Sequence, residues 1–229
     1  MEMQTGQANS YNENYKQENF FHYQEWIYAP YISSLIAFCG LERGASVLDV
    51  GCGQGFFSYL FNKQGMKVHG IDTADTGILA AQSLYGSLGI TFSVADVHSV
   101  IFPQRFDCIF VRSCSLYNTD AFPFQKEVTG SLLRHLKSTG TFIFVYNSNF
   151  SSKPSPKWRY HSFEDVEQHF SHCHNPQIFF SNKIVTFVLR KYSFSRFLTR
   201  RNIFLSRVSG MGGDLICILK GTSTAVGIS

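Results

Sequence analysis

The sequence predicts an α/β fold, a doubly wound and mainly parallel sheet with helices on both faces. Three observations predict it. From Ser46 to Ser148, short apolar runs alternate with longer stretches of helical periodicity. The short runs are apolar at consecutive positions, as in strands covered by helices on both sides. Finally, "VLDVGCGQGFF", Val47 to Phe57, sets three alternating glycines directly behind one such run. Glycines at the end of a strand let the backbone turn sharply and leave space where side chains would stand.

The elements follow in order. "FFHYQEWIYAPYISSLIAFCGL" is dense in aromatics: Pro30 suits a first helical turn, and Ile32, Leu35, Ile36 and Cys39 then repeat at helical spacing up to a capping Gly40. "SVLDV" (46–50) is a strand and "FFSYLFNKQG" (56–65) a helix stopped by Gly65. "KVHGID" (67–72) is a strand, and "TGILAAQSLYGSLG" (76–89) contains a helix. "ITFSVAD" (90–96) and "RFDCIFVR" (105–112) are strands. "FPFQKEVTGSLLRHLKSTG" (122–140) reads as a helix ending at Gly140, before the strand "TFIFVYNS" (141–148). Beyond a loop, "SSKPSPKW", Ser162 and Asp165 make a capping-box start for "FEDVEQHF". "PQIFFSNKIVTFVLRKYSFSRFLTRR" is apolar and basic, and "DLICILKG" (214–221) is a closing strand.

At 229 residues, 44% hydrophobic and 16% charged, the chain suits one globular domain with a sizeable core. It contains no apolar run long enough to span a bilayer, and its polar N-terminus has no secretory pattern, so cytoplasmic location is expected. Six scattered cysteines without a C-x-x-C pair read as reduced thiols. The net charge of +4 is mild, but no Asp or Glu occurs between Gln168 and Gly213, a stretch that holds Lys183, Arg190, Lys191, Arg196, Arg200, Arg201 and Arg207.

In an open α/β sheet, ligands bind at the carboxyl edge where strand order reverses, so Gly51, Gly53 and Gly55 read as a loop pressed against a ligand. A dinucleotide fingerprint would need its third glycine at Phe56, and the Lys and Ser/Thr of a Walker motif are missing, so a nucleoside fits better than a di- or triphosphate. Asp72 ends the second strand, where a carboxylate can accept from both ribose hydroxyls. Asp96 ends the third, where it can accept from an adenine amino group.

With these residues the sequence resembles the class I S-adenosylmethionine-dependent methyltransferases over about Ser46 to Ser148. "VLDVGCGQG" matches the first motif of that family, "GID" its ribose-binding acid, "VADV" its adenine-contacting acid and "FDCIFVRS" its fourth strand. The resemblance implies S-adenosyl-L-methionine as cofactor and S-adenosyl-L-homocysteine as product. Asp49, Gly51, Cys52, Gly53 and Gly55 would line the methionyl part, Asp72 and Thr73 the ribose, and Asp96 and Val97 the adenine. Arg112 and Ser113 would lie beside the transferring methyl group. The resemblance also implies a seven-stranded sheet with the last strand antiparallel, which suits "DLICILKG". One domain is then expected over 20–221. Residues 20–40 would be an N-terminal helix or lid, 46–148 the cofactor half and 149–221 the substrate-side half, between mobile tails at 1–19 and 222–229.

Methyl transfer is a displacement at an activated carbon, so the protein mainly positions the acceptor, and a base is needed only for a protonated one. "RSCSLYNT" (112–119) lacks the proline pair with which the nucleic-acid amino-methylating enzymes of this family usually hold a nucleobase amino group, and leaves Tyr117 at the expected mouth. His98, Tyr146, Tyr160 and His161 are candidate bases. Tyr15, Tyr23 and Trp26 are candidates for a lid over the cofactor. His169, His172, Cys173 and His174 match no standard zinc spacing, and no metal is expected. The acceptor expected is a small molecule or metabolite. An RNA or other polyanion methyltransferase using the basic 183–207 stretch is the alternative, though interleaved aromatic and basic residues suit an amphipathic helix with solvated arginines better. A cofactor-binding protein without catalysis is the alternative of another class. No membrane partner is expected, and the sequence does not specify an oligomeric state.

Overall fold

A computed structural model of the chain describes residues 10–148, 150, 158–182, 194, 196–209 and 212–221. The expected tail at 222–229, most of the 149–157 loop and residues 183–193 of the basic stretch lie outside the described residues.

Helix α1 (Glu25–Cys39) leads into β1 (Ser46–Val50), α2 (Phe56–Lys63), β2 (Lys67–Asp72), α3 (Asp75–Tyr85) and β3 (Thr91–Val94). Then come β4 (Phe106–Arg112), α4 (Phe122–Leu133), β5 (Leu136–Asn147), α5 (Phe163–Phe170), β6 (Gln177–Asn182), α6 (Arg196–Ser209) and β7 (Gly213–Lys220). The seven strands form one sheet in the order β3-β2-β1-β4-β5-β7-β6. Strands β1 to β5 pair in parallel, while β7 runs antiparallel to both β5 and β6. The order reverses between β1 and β4, which opens the crevice where this architecture binds ligands.

Two apolar layers cover the sheet. Val47, Phe110, Ile143 and Ile216 face α1, α2 and α3 with Leu35, Phe61 and Ile78. Leu48, Ile109, Phe144 and Leu215 face α4 and α5 with Leu132 and Phe170. Alternate residues of each strand thus feed opposite cores, which is why the strands read as continuously apolar. The capping box of α5 forms as expected, with Asp165 N donating to Ser162 Oγ at 3.0 Å and Ser162 N to Asp165 Oδ2 at 2.8 Å.

Three local expectations need correction. Helix α1 begins at Glu25, so Pro30 lies inside it rather than in its first turn. Burial of Tyr31, Ile32, Leu35 and Ile36 against the core outweighs the backbone bond that proline forgoes. Helix α4 stops at Leu133, well before Gly140, because Phe106 N donates to His135 O and Leu136 pairs with Phe106, drawing the chain into β5. The third correction concerns the N-terminus. Residues 10–14 are helical, and Tyr15, one turn beyond Tyr11, is only 7% exposed. Of the segment 1–19 expected as a tail, residues 1–9 lie outside the described residues, while Tyr15 packs its ring into the fold.

Candidate active site

The glycine loop closes on the end of β2. Gly51 N and Cys52 N both donate to Ile71 O, at 2.8 and 3.0 Å, and Gly53 N donates to Asp72 Oδ2 at 2.8 Å. Asp72 also accepts from Ala74 N at 2.9 Å, so one carboxylate orders the loops after β1 and β2 together. The glycines meet different neighbours. At Gly55 (φ +81°) a Cβ would stand 2.9 Å from Ala81 Cβ and from the Phe92 ring, inside the core. At Gly53 (φ +52°) it would stand 2.7 Å from the Tyr15 hydroxyl, in the crevice. Only glycine serves at such positive φ without strain.

Asp49 sits beneath the loop, 2% exposed, and accepts from Ser58 Oγ at 2.6 Å. Burial pushes its carboxyl up to about 7, against the pull of the Ser58 bond and with Asp72 adding to the rise. Burial also raises Asp72, opposed by its bonds from Ala74 and Gly53.

Around this loop lies a cleft of about 490 Å³. Asp49, Gly51, Cys52, Gly53, Asp72, Thr73, Asp96, Val97, Arg112 and Ser113 all line it, so the strand ends gather these expected residues around one space. Gly55 turns away into the core behind it. At the end of β4, Arg112 lies against the rings of Phe57, Tyr23 and Tyr28, 4.8, 5.3 and 5.3 Å from their centroids. Its Nη1 donates to the Tyr23 hydroxyl at 2.9 Å, and its Nη2 pairs with Asp214 Oδ2 at 3.3 Å. Ser113 follows in the left-handed region (φ +48°) and carries the chain back across the crevice, bringing Cys114 against Gly51.

The N-terminal segment roofs the cleft. Tyr11, Tyr15, Phe21 and Tyr23 line it. Gln54, between Gly53 and Gly55, staples that segment down. It accepts from Phe20 N at 3.0 Å and donates to Tyr15 O and Gln17 O at 3.3 and 2.8 Å. Asn12 Oδ1 accepts from Thr76 N at 3.2 Å, at the start of α3. Burial raises the Tyr11 phenol to about 12 and the Tyr15 phenol still further, with Cys114 adding most to the first and Asp72 to the second.

Several candidates lie elsewhere. Tyr117 is fully buried, not at a mouth; its hydroxyl lies 2.9 Å from Thr129 Oγ1, which in turn meets His169 Nε2 at 3.0 Å. His161 is buried with Nε2 3.0 Å from Tyr117 O, and burial lowers its pKa. Tyr146 is packed between Trp158 and His161, and burial raises its pKa. His98 stands beside Phe124, its N–H held by Asp96. Trp26 is 62% exposed and bonds Gln24. None of these, nor Tyr160, belongs to the cleft lining. Sequence reading missed Tyr11, Gln54 and Asp214. The i, i+4 spacing of Tyr11 and Tyr15 was the available signal for the first, while Asp214 carries none.

The doubly wound sheet with β7 inserted antiparallel, and strand-end acids around a glycine loop at the switch point, define the class I S-adenosylmethionine-dependent methyltransferase fold. A family model described as a methyltransferase domain matches residues 41–192, and the chain belongs to that family. Over 75 residues it is 37% identical to a ubiquinone biosynthesis O-methyltransferase of Azoarcus sp. (strain BH72), a match covering 31% of this chain and 32% of the relative. The match thus spans about a third of that protein's length. Among solved structures, an S-adenosylmethionine-dependent methyltransferase from Clostridium acetobutylicum ATCC 824 superposes with a TM-score of 0.62 at 14% identity, covering 93% of this chain and 98% of that one. A Haemonchus contortus phosphoethanolamine N-methyltransferase 2, solved with phosphomonomethylethanolamine and S-adenosylhomocysteine, superposes with a TM-score of 0.61 at 16% identity. There the match covers 87% of this chain and 56% of the other.

Proposed function

We propose that the chain transfers the methyl group of S-adenosylmethionine to a small-molecule acceptor inside this cleft. The observation that carries the reading is the aromatic roof. Tyr11, Tyr15, Phe21 and Tyr23 cover the crevice that the glycine loop and Arg112 line, within about 490 Å³, the size of a small-molecule site rather than of a groove for a polymer. The relatives named above, acting in ubiquinone biosynthesis and bound to phosphomonomethylethanolamine, are consistent with such an acceptor.

The residues present fit the cofactor. At Gly53 a Cβ would collide with Tyr15 on the cleft wall, so the loop stays without a side chain there, and Asp72 and Asp96 stand at successive strand ends on the same cleft. Asp72 would accept from the ribose, Asp96 and Val97 would meet the adenine, and Gly51 to Gly53 would make room for the methionyl chain. When bound, the cofactor supplies a methyl group already activated on a sulfonium. The chain's own contribution is to orient the acceptor and keep water out. Burial keeps the Tyr11 and Tyr15 phenols protonated at neutral pH, so they donate hydrogen bonds rather than withdraw protons. This favours an acceptor atom that presents a free lone pair.

The test is incubation with methyl-labelled cofactor and a fractionated cell extract. Label in the low-molecular-weight fraction supports the reading. Label confined to nucleic acid or protein, or no transfer despite cofactor binding, sinks it.

A further inference from the structure

Helix α6 has a buried face and an exposed face of unlike character. Thr199, Asn202 and Ser206 are buried. Thr199 Oγ1 accepts from Phe180 N at 3.2 Å and Asn202 Nδ2 donates to Phe180 O at 3.3 Å, so the helix covers the open edge of β6. Turned away from that edge are Arg200, Arg201, Phe204 and Val208, all exposed, while Arg207, also exposed, lays its guanidinium over the Phe150 ring, 5.4 Å from its centroid. At about 100° per residue these five fall within one arc, with Phe204 at its centre, Arg200 and Arg207 on one flank and Arg201 with Val208 on the other. Phe204 is 66% and Val208 71% exposed.

We propose that this face docks on an anionic lipid surface. Two observations select that occupant. The face is cationic within a stretch, Gln168 to Gly213, that contains no acid at all, so it complements a negative headgroup layer. An aromatic and an aliphatic residue stand between the arginines, the arrangement in which apolar side chains enter the headgroup boundary while guanidinium groups stay at its level. No helix among the described residues is long and apolar enough to cross a membrane, and surface docking requires none. Asn182 pairs with Gly213 and Asn147 with Asp214, so the segment between β6 and β7 leaves and rejoins the sheet at the edge that carries Arg112 and the cleft.

The experiment is co-sedimentation of the full chain with vesicles of phosphatidylcholine alone and of phosphatidylcholine mixed with phosphatidylglycerol, at low and physiological salt. Binding to the mixed vesicles only is expected. Arg200→Ala with Arg201→Ala should weaken it roughly ten- to thirtyfold. Phe204→Ser should weaken it as well, while both variants keep the cofactor affinity of the parent by calorimetry, which controls for folding. Three results overturn the proposal: no binding to either vesicle, equal binding to both, or loss with the arginine variant alone together with tighter binding to RNA than to vesicles. The last would make the face a polyanion site.

Discussion

Gly53 and Gly55 lie two residues apart in the same loop, yet their alanine variants are expected to fail differently. Both hold positive φ, so either methyl group costs about 1–2 kcal/mol of backbone strain. At Gly55 the methyl also lands 2.9 Å from Ala81 Cβ and the Phe92 ring, which are 0% and 6% exposed and cannot step aside. Overpacking adds about 1–3 kcal/mol, so Gly55→Ala should lose about 2–5 kcal/mol and roughly 5–15 °C of melting temperature. At Gly53 the methyl meets the Tyr15 hydroxyl and ring edge, 2.7 to 3.4 Å away, on the roof of the cleft rather than in the core. Relief there displaces Tyr15 from the roof and leaves the core packing alone, so the loss falls mainly on the cleft. Gly53→Ala should melt only a few degrees low and bind S-adenosylhomocysteine at least about tenfold more weakly. Thermal unfolding and calorimetry on both variants decide it. Equal melting temperatures, or Gly53→Ala with the affinity of the parent, would refute the division between cleft and core.

Gln54→Ala removes three bonds to residues 15–20. Amide exchange at those residues should accelerate roughly ten- to hundredfold, with the central strands unaffected, as hydrogen exchange would read directly. Arg112→Met leaves the Asp214 carboxylate buried beside an apolar chain, and should cost about 3–5 kcal/mol in denaturant unfolding. Adding Asp214→Asn to Arg112→Met should recover part of that loss; a double variant as unstable as the sum of the singles would contradict a direct pair. For Asp49 the folded carboxyl titrates near 7 and an unfolded aspartate near 3.9. Between those values the folded state alone holds the proton, so its contribution to stability is present at low pH and lost as pH rises through about 7. Asp49→Asn should therefore gain on the parent in stability from pH about 4 to about 8, and a constant difference across that range would remove the assignment.

The strand pattern was legible because each buried strand declares itself by consecutive apolar residues. β1, β2 and the capping box at Ser162 fall where local chemistry alone puts them. The acids at Asp49, Asp72 and Asp96 and the glycine loop were legible for a related reason. Their positions follow from which residue ends each strand, and the parallel order then brings all of them to one edge. Local pattern failed where pairing competes with it. "LLRHLKSTG" reads as helix, yet the backbone of Phe106 recruits His135 and Leu136 into the sheet. Tyr117 looked like a mouth residue from its distance along the chain, but a turn of 3₁₀ helix at Ser115–Tyr117 rotates it into the core.

By itself, then, the sequence determined the family fold, the glycine loop and the carboxylates around it, since each rests on neighbours close along the chain. The sequence offered Tyr15, Tyr23 and Trp26 as a lid, and only the tertiary structure decided which of them line the cleft and what faces Arg112. The Gln54 staple joins residues from two parts of the chain, and Asp214 reaches Arg112 from the far side of the sequence, with β7 inserted beside β5. A polar N-terminal segment looks like a tail until the crevice it fills exists. Burial in that crevice, together with the helical bond from Tyr15 N to Tyr11 O at 2.9 Å, sets Tyr15 in place.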